Sequence, residues 1–61
     1  MKRRQLLNHL ARHGCELLRE GSSHSIYRNT RTGKRTSVPR HGEVDNVTAR
    51  KICRQLGIPP P

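Results

Sequence analysis

The apolar residues of this chain change their spacing twice, and glycines stand close to both ends of the pattern. From Lys2 to His13, Leu6, Leu7, Leu10 and Ala11 recur at intervals of three and four, the spacing of one helical face. Arg3, Arg4, Asn8 and Arg12 lie largely off that stripe, and Gly14 reads as the helix stop. The spacing then tightens. "CELLRE" (15–20), "SIYRN" (25–29) and "KRTSVP" (34–39) are short strand candidates. Between the second and third, "TRTG" places Gly33 for a positive φ, which predicts a hairpin. Pro39 ends the third strand because it has no N–H for the ladder. Helical spacing returns after the loop "RHGEVDN" (40–46). Ala49, Ile52, Cys53 and Leu56 make its stripe, Asp45 or Asn46 caps it, Gly57 stops it, and "PPP" (59–61) follows as an extended tail.

Two helices with one apolar stripe each need a common surface, and a three-stranded antiparallel sheet supplies it. The expected fold is therefore α+β: one two-layer α-β-β-β-α domain over residues 1–61, with both helices on one sheet face and the other face open. Cys15 and Leu17 share a face, as do Thr36 and Val38. In the middle strand Ile26 and Tyr27 point opposite ways, and spacing does not choose which of them joins the core.

That core must be thin. Only 30% of the 61 residues are hydrophobic, Trp and Phe are absent, and Tyr27 is the single aromatic side chain. A domain of this size buries only about 60% of the surface its unfolded chain exposes. A deep, enclosed ligand pocket is hard to build from so little, so an open surface site is expected. Thirteen Lys and Arg against four Asp and Glu give a formal charge of +9, which favours a polyanionic partner. No apolar run is long enough for a membrane span or a signal-peptide core, and a cytoplasmic location without membrane contact is the expectation. Cys15 and Cys53 lack paired spacing and read as free, buried thiols.

His9, His13, His24 and His41 are the groups whose ordinary pKa, about 6.5, lies near neutrality. The carboxylates are too few for a paired acid/base site, and no glycine-rich phosphate loop is present. His9 and His13 stand one helical turn apart with Cys15 nearby, a zinc-like spacing that lacks a fourth ligand; no metal and no cofactor are expected. His24 differs from the other three. In "REGSSHSIYR" it stands at the head of a strand behind a Gly-Ser-Ser turn, with arginines at both ends of the stretch. A histidine so placed on RNA can accept the 2′-OH proton or protonate the leaving 5′ oxygen. Arginines can stabilise the charge that builds on the phosphate. Arg19, Arg28, Arg35 and Arg40, with Ser22 and Ser23 of the turn, are the candidate RNA contacts. His41 in "PRHG" either assists as an acid, binds phosphate, or only holds its loop. Tyr27 either stacks on a base or fills the core.

Three stretches, "REGSSHSIYRN", "SVPRHGE" and "TARKICRQLGI", together resemble the HicA toxins, which are bacterial mRNA interferases. The resemblance runs from about Arg3 to Ile58. It implies an αβββα fold similar to double-stranded-RNA-binding domains and a metal-independent ribonuclease acting on mRNA. It also implies a HicB antitoxin that covers the site, and it marks the histidine of the Gly-Ser-His turn, here His24, as catalytic. Two departures are visible: the turn carries an extra serine, and Cys15 stands where an aromatic core residue is common in the family. Two other readings share the same residues. One is a nucleic-acid-binding module without catalysis, and the other is an adaptor for acidic proteins, in which His24 has no role.

Overall fold

The computed structural model describes all 61 residues. Helix α1 (Arg3–Arg12) is followed by strands β1 (Cys15–Glu20), β2 (His24–Asn29) and β3 (Arg35–Pro39), and then by helix α2 (Asn46–Leu56). The strands form an open antiparallel sheet in the order β1-β2-β3. Helix α1 packs on β1 and α2 on β3, and residues of both helices share one core, so one sheet face is covered and the other is bare. This is the α+β order read from the apolar spacing, and it is compatible with the double-stranded-RNA-binding-domain likeness. The one shift that touches the site is that β2 begins at His24, one residue early, because His24 pairs with Pro39.

The core holds Leu6 and Leu10 of α1 and Ala49, Ile52, Cys53 and Leu56 of α2. Cys15 and Val38 come from the sheet, and Val44 and Ile58 from the flanking segments. Tyr27 packs against this cluster, while Ile26 lies half-buried on the bare face. Tyr27 is thus the inward residue of β2, in phase with the fully buried Ser25 and Asn29. With so few apolar residues, the sheet side of the core is completed by polar ones, and each has a partner. Asn29 Nδ2 donates to Leu56 O at 2.9 Å, Thr36 Oγ1 bonds Gln55 Oε1, and Ser25 is bonded twice. A buried polar group left unpaired costs about 1–3 kcal/mol, which is why these bonds matter in so small a core.

The end of α2 shows how the polar residues serve the fold. Gly57 takes φ 73°, its N–H reaches Arg54 O at 3.1 Å, and Ile58 N–H reaches Cys53 O at 3.0 Å. This left-handed helix ending favours glycine at that position and an apolar residue after it, and Ile58 is buried accordingly. At the other end Asp45 occupies the N-cap position without a side-chain bond to the helix backbone, and accepts from Thr48 Oγ1 at 3.4 Å. The "RHGEVDN" segment, expected as a loop, is partly a ladder. Val44 N–H donates to Met1 O at 2.8 Å, the Met1 amino group donates to Val44 O at 2.7 Å, and Arg3 N–H donates to Gly42 O at 2.9 Å. Val44 is buried as a result. Cys15 and Cys53 are free and buried. Burial pushes both thiols above their ordinary pKa, and for Cys53 the nearby Cys15 adds to that.

Candidate functional site

The bare face is built by an irregularity in β1. Leu17 pairs with Tyr27, but the next pair is Arg19 with Ile26, so Leu18 is an extra residue. Such a bulge shifts the phase of everything after it. Strict alternation would put Arg19 on the helix-covered face with Cys15 and Leu17; the bulge turns it to the bare face beside Ile26. The bare face then reads in rows across the strands. Glu16, Arg28 and Arg35 form one row; Arg19, Ile26 and Ser37 form the next; His24 and Pro39 lie at the end.

Charge on this face is poorly balanced. Arg28 is half-buried, its Nε is buried without a hydrogen-bond partner, and Arg35 stands directly across from it. Like charges directly opposite on a sheet are destabilising. Glu16, on the other side of Arg28, takes part in none of the chain's ion pairs, which join Glu43 to the Met1 amino group and Lys2, and Glu20 to Arg40.

His24 is exposed at the head of β2. The turn before it is closed by Gly21 N–H donating to His24 O at 2.7 Å. A Cβ on Gly21 would lie 2.8 Å from that same oxygen, so the close approach requires glycine. Ser22 and Ser23 are exposed in the turn. Arg40, expected at phosphate, is engaged with the turn: Nη1 donates to Gly21 O at 3.0 Å and Nε lies 3.9 Å from Glu20 Oε1. His41 is exposed two residues beyond Pro39, the cross-strand partner of His24, which puts both histidines at one end of the sheet.

Three residues that sequence reasoning passed over also meet here. Ser25, fully buried, donates to Glu20 Oε1 at 2.6 Å and accepts from Arg3 Nη2 at 2.8 Å. Arg3 Nε donates to Pro39 O at 2.8 Å. The inward phase of Ser25 follows from Tyr27 being inward, but nothing local in the sequence announces Arg3. The His24 imidazole enters none of these bonds.

The remaining candidates lie elsewhere. The His9 and His13 rings are 4.6 Å apart, and His9 Nε2 is 2.8 Å from Pro59 O. Cys15 is turned into the core, with its Sγ 3.9 Å from His13 O, and no three His, Cys, Asp or Glu side chains gather where a metal ion would fit. His24 lines none of the surface hollows and stands exposed at the open end of the sheet. No helix is long and apolar enough to cross a membrane.

An α-β-β-β-α fold with an arginine-bearing bare face and an exposed histidine at its end defines a small basic α+β protein with an open, charged sheet surface. The family profile of HicA toxins of bacterial toxin–antitoxin systems matches residues 3–58, and the chain belongs to that family. Its role is that of the toxin, and the family implies an antitoxin partner. No curated protein and no solved structure matches the chain.

Proposed function

We propose that this toxin is a metal-independent endoribonuclease that cleaves mRNA in the cytoplasm, with His24 as its general acid or base. The observation that carries the reading is the shared face: exposed His24 heads the same bare surface that bears Arg19, Arg28 and Arg35. As a base, the neutral imidazole takes the proton of a 2′-OH as that oxygen attacks the adjacent phosphorus. As an acid, the imidazolium gives its proton to the 5′ oxygen as the P–O bond breaks. His41, at the same end of the sheet, is the candidate for the complementary step. The three arginines hold the backbone and balance the charge added at phosphorus. Ser22 and Ser23 offer hydroxyls to the strand as it passes the turn. A HicB-like antitoxin with an acidic contact surface inhibits by covering His24 and these arginines.

The test compares wild type with His24→Ala on RNA in the presence of a chelator. Wild type is expected to cut. The variant is expected to bind RNA equally and cut about 10²–10⁴-fold more slowly, the usual contribution of a proton-transfer group. Equal cleavage by both removes His24 from the mechanism. Binding without cleavage by wild type, with metal or in chelator, favours the second reading, a non-catalytic RNA-binding module. That reading draws on the breadth of the basic face, which holds RNA with or without His24.

A further inference from the structure

We infer that Arg3, Ser25 and Glu20 form a positioning relay that fixes the place of His24, so that the first residue of α1 governs turnover without touching the RNA. The inference rests on the nuclease reading for its kinetic consequence but not for its geometry. The imidazole of His24, exposed behind a Gly-Ser-Ser turn, makes no hydrogen bond that would orient it. Its position is set by its backbone, and that backbone is gripped on both sides. Ser25, the next residue, is fully buried and holds Glu20 and Arg3. Pro39, the residue opposite His24 in the ladder, receives the Arg3 Nε–H.

The direction of the relay follows from donor chemistry. A guanidinium only donates and an ionised carboxylate only accepts, so the Ser25 hydroxyl must accept from Arg3 and give its single hydrogen to Glu20. One hydroxyl orientation satisfies all three groups. Arg3 uses two nitrogens in a planar fork, one on β2 and one on β3, which a lysine cannot reproduce. Its backbone N–H is anchored on Gly42 O at 2.9 Å, so the fork is held from the helical layer. The second brace, Arg40 on Glu20 and Gly21, joins side chains that are 49% and 51% exposed, and ion pairs so solvated hold geometry weakly. The arm through Ser25 is the better shielded one, because Ser25 is fully buried and its bonds to Arg3 and Glu20 are half-buried.

A misplacement of about 1 Å at a catalytic group costs on the order of 10²-fold in rate. Ser25→Ala and Arg3→Lys are therefore expected to lower kcat about ten- to a hundredfold while KM and RNA affinity stay within about twofold. Glu20→Gln keeps the accepting oxygen and should restore near-wild-type kcat, whereas Glu20→Leu should behave like Ser25→Ala. Arg4→Gln, an exposed neighbour on α1, is the control for loss of charge. Thermal melts identify any variant that has unfolded. A second readout is independent of activity: the His24 ring resonances in NMR, with one sharp set expected in wild type and broadening or doubling in Ser25→Ala and Arg3→Lys. Unchanged kcat in both folded variants, or a loss that falls on KM, overturns the relay and leaves the nuclease reading standing. If wild type cuts no RNA, the nuclease reading falls, and the ring resonances decide the relay: broadening upholds it and unchanged lines overturn it.

Discussion

On the helix-covered face of the sheet, Ser25, Asn29 and Thr36 are buried and each is hydrogen-bonded; on the bare face, Arg28 Nε has no partner and Arg28 stands opposite Arg35. The same three strands supply both arrangements, because successive residues face opposite ways. The covered face has satisfied its polar groups within the chain. The bare face has left positive charge unpaired, at some expense in stability. On the function proposed above, stability and recognition fall to alternate residues of β2: Ser25, Tyr27 and Asn29 to the first, His24 and Arg28 to the second.

Substitutions should separate along this line. The largest stability effect is expected from the covered face. Asn29→Ala removes the bond to Leu56 O at the end of α2 and the acceptor for Arg31 N–H at 2.9 Å. Stranding a buried carbonyl should cost about 1–3 kcal/mol in urea unfolding, with the RNA affinity of the folded fraction unchanged. A matching loss of affinity in folded protein would break the division between the faces.

A smaller effect, of the opposite kind, is expected from the bare face. Arg28→Gln and Arg35→Gln should leave unfolding free energy within about 0.5 kcal/mol. Each should make the plot of log affinity against log salt shallower by about 0.7 per lost phosphate contact on single-stranded RNA. Arg50→Gln, on the exposed side of α2, should leave that slope alone. An equal change from Arg50→Gln would mean that RNA reads net charge rather than this face.

The smallest effect concerns the thiols. Both cysteines have folded-state pKa values raised above the ordinary 9.0 by burial. From about that pH upward the unfolded chain gives up thiol protons that the folded chain keeps. Stability contributed below the unfolded pKa is therefore lost as pH rises, and the difference in alkaline stability between wild type and Cys15→Ala/Cys53→Ala should shrink. RNA cleavage should survive the double substitution. Loss of cleavage in a folded variant would give the covered face a part in the chemistry.

The candidate site was legible in part. His24 and its Gly-Ser-Ser turn stand out because a strand start, a glycine and flanking arginines are neighbours in sequence. Arg28 and Arg35 follow once the hairpin is read, since they pair across it. Arg19 reaches the bare face only through the bulge at Leu18, and the pair "LL" gives no sign of which residue is extra. Arg40 looks like one more surface cation until Gly21 O and Glu20 are placed beside it.

Local spacing alone determined the order α-β-β-β-α, the approximate ends of each element, the thin aliphatic core and the excess of positive charge. Each of these depends on residues within a few positions of one another, or on a simple count. Only the tertiary structure decided that Tyr27 rather than Ile26 turns inward, that Arg19 turns outward, and that Arg3 reaches Ser25, 22 residues away, while the Met1 amino group reaches Val44, 43 residues away. Alternation along a strand is symmetric between its two faces. The choice is made by whatever packs against one of them, and the spacing within a segment carries no record of which distant segment that will be.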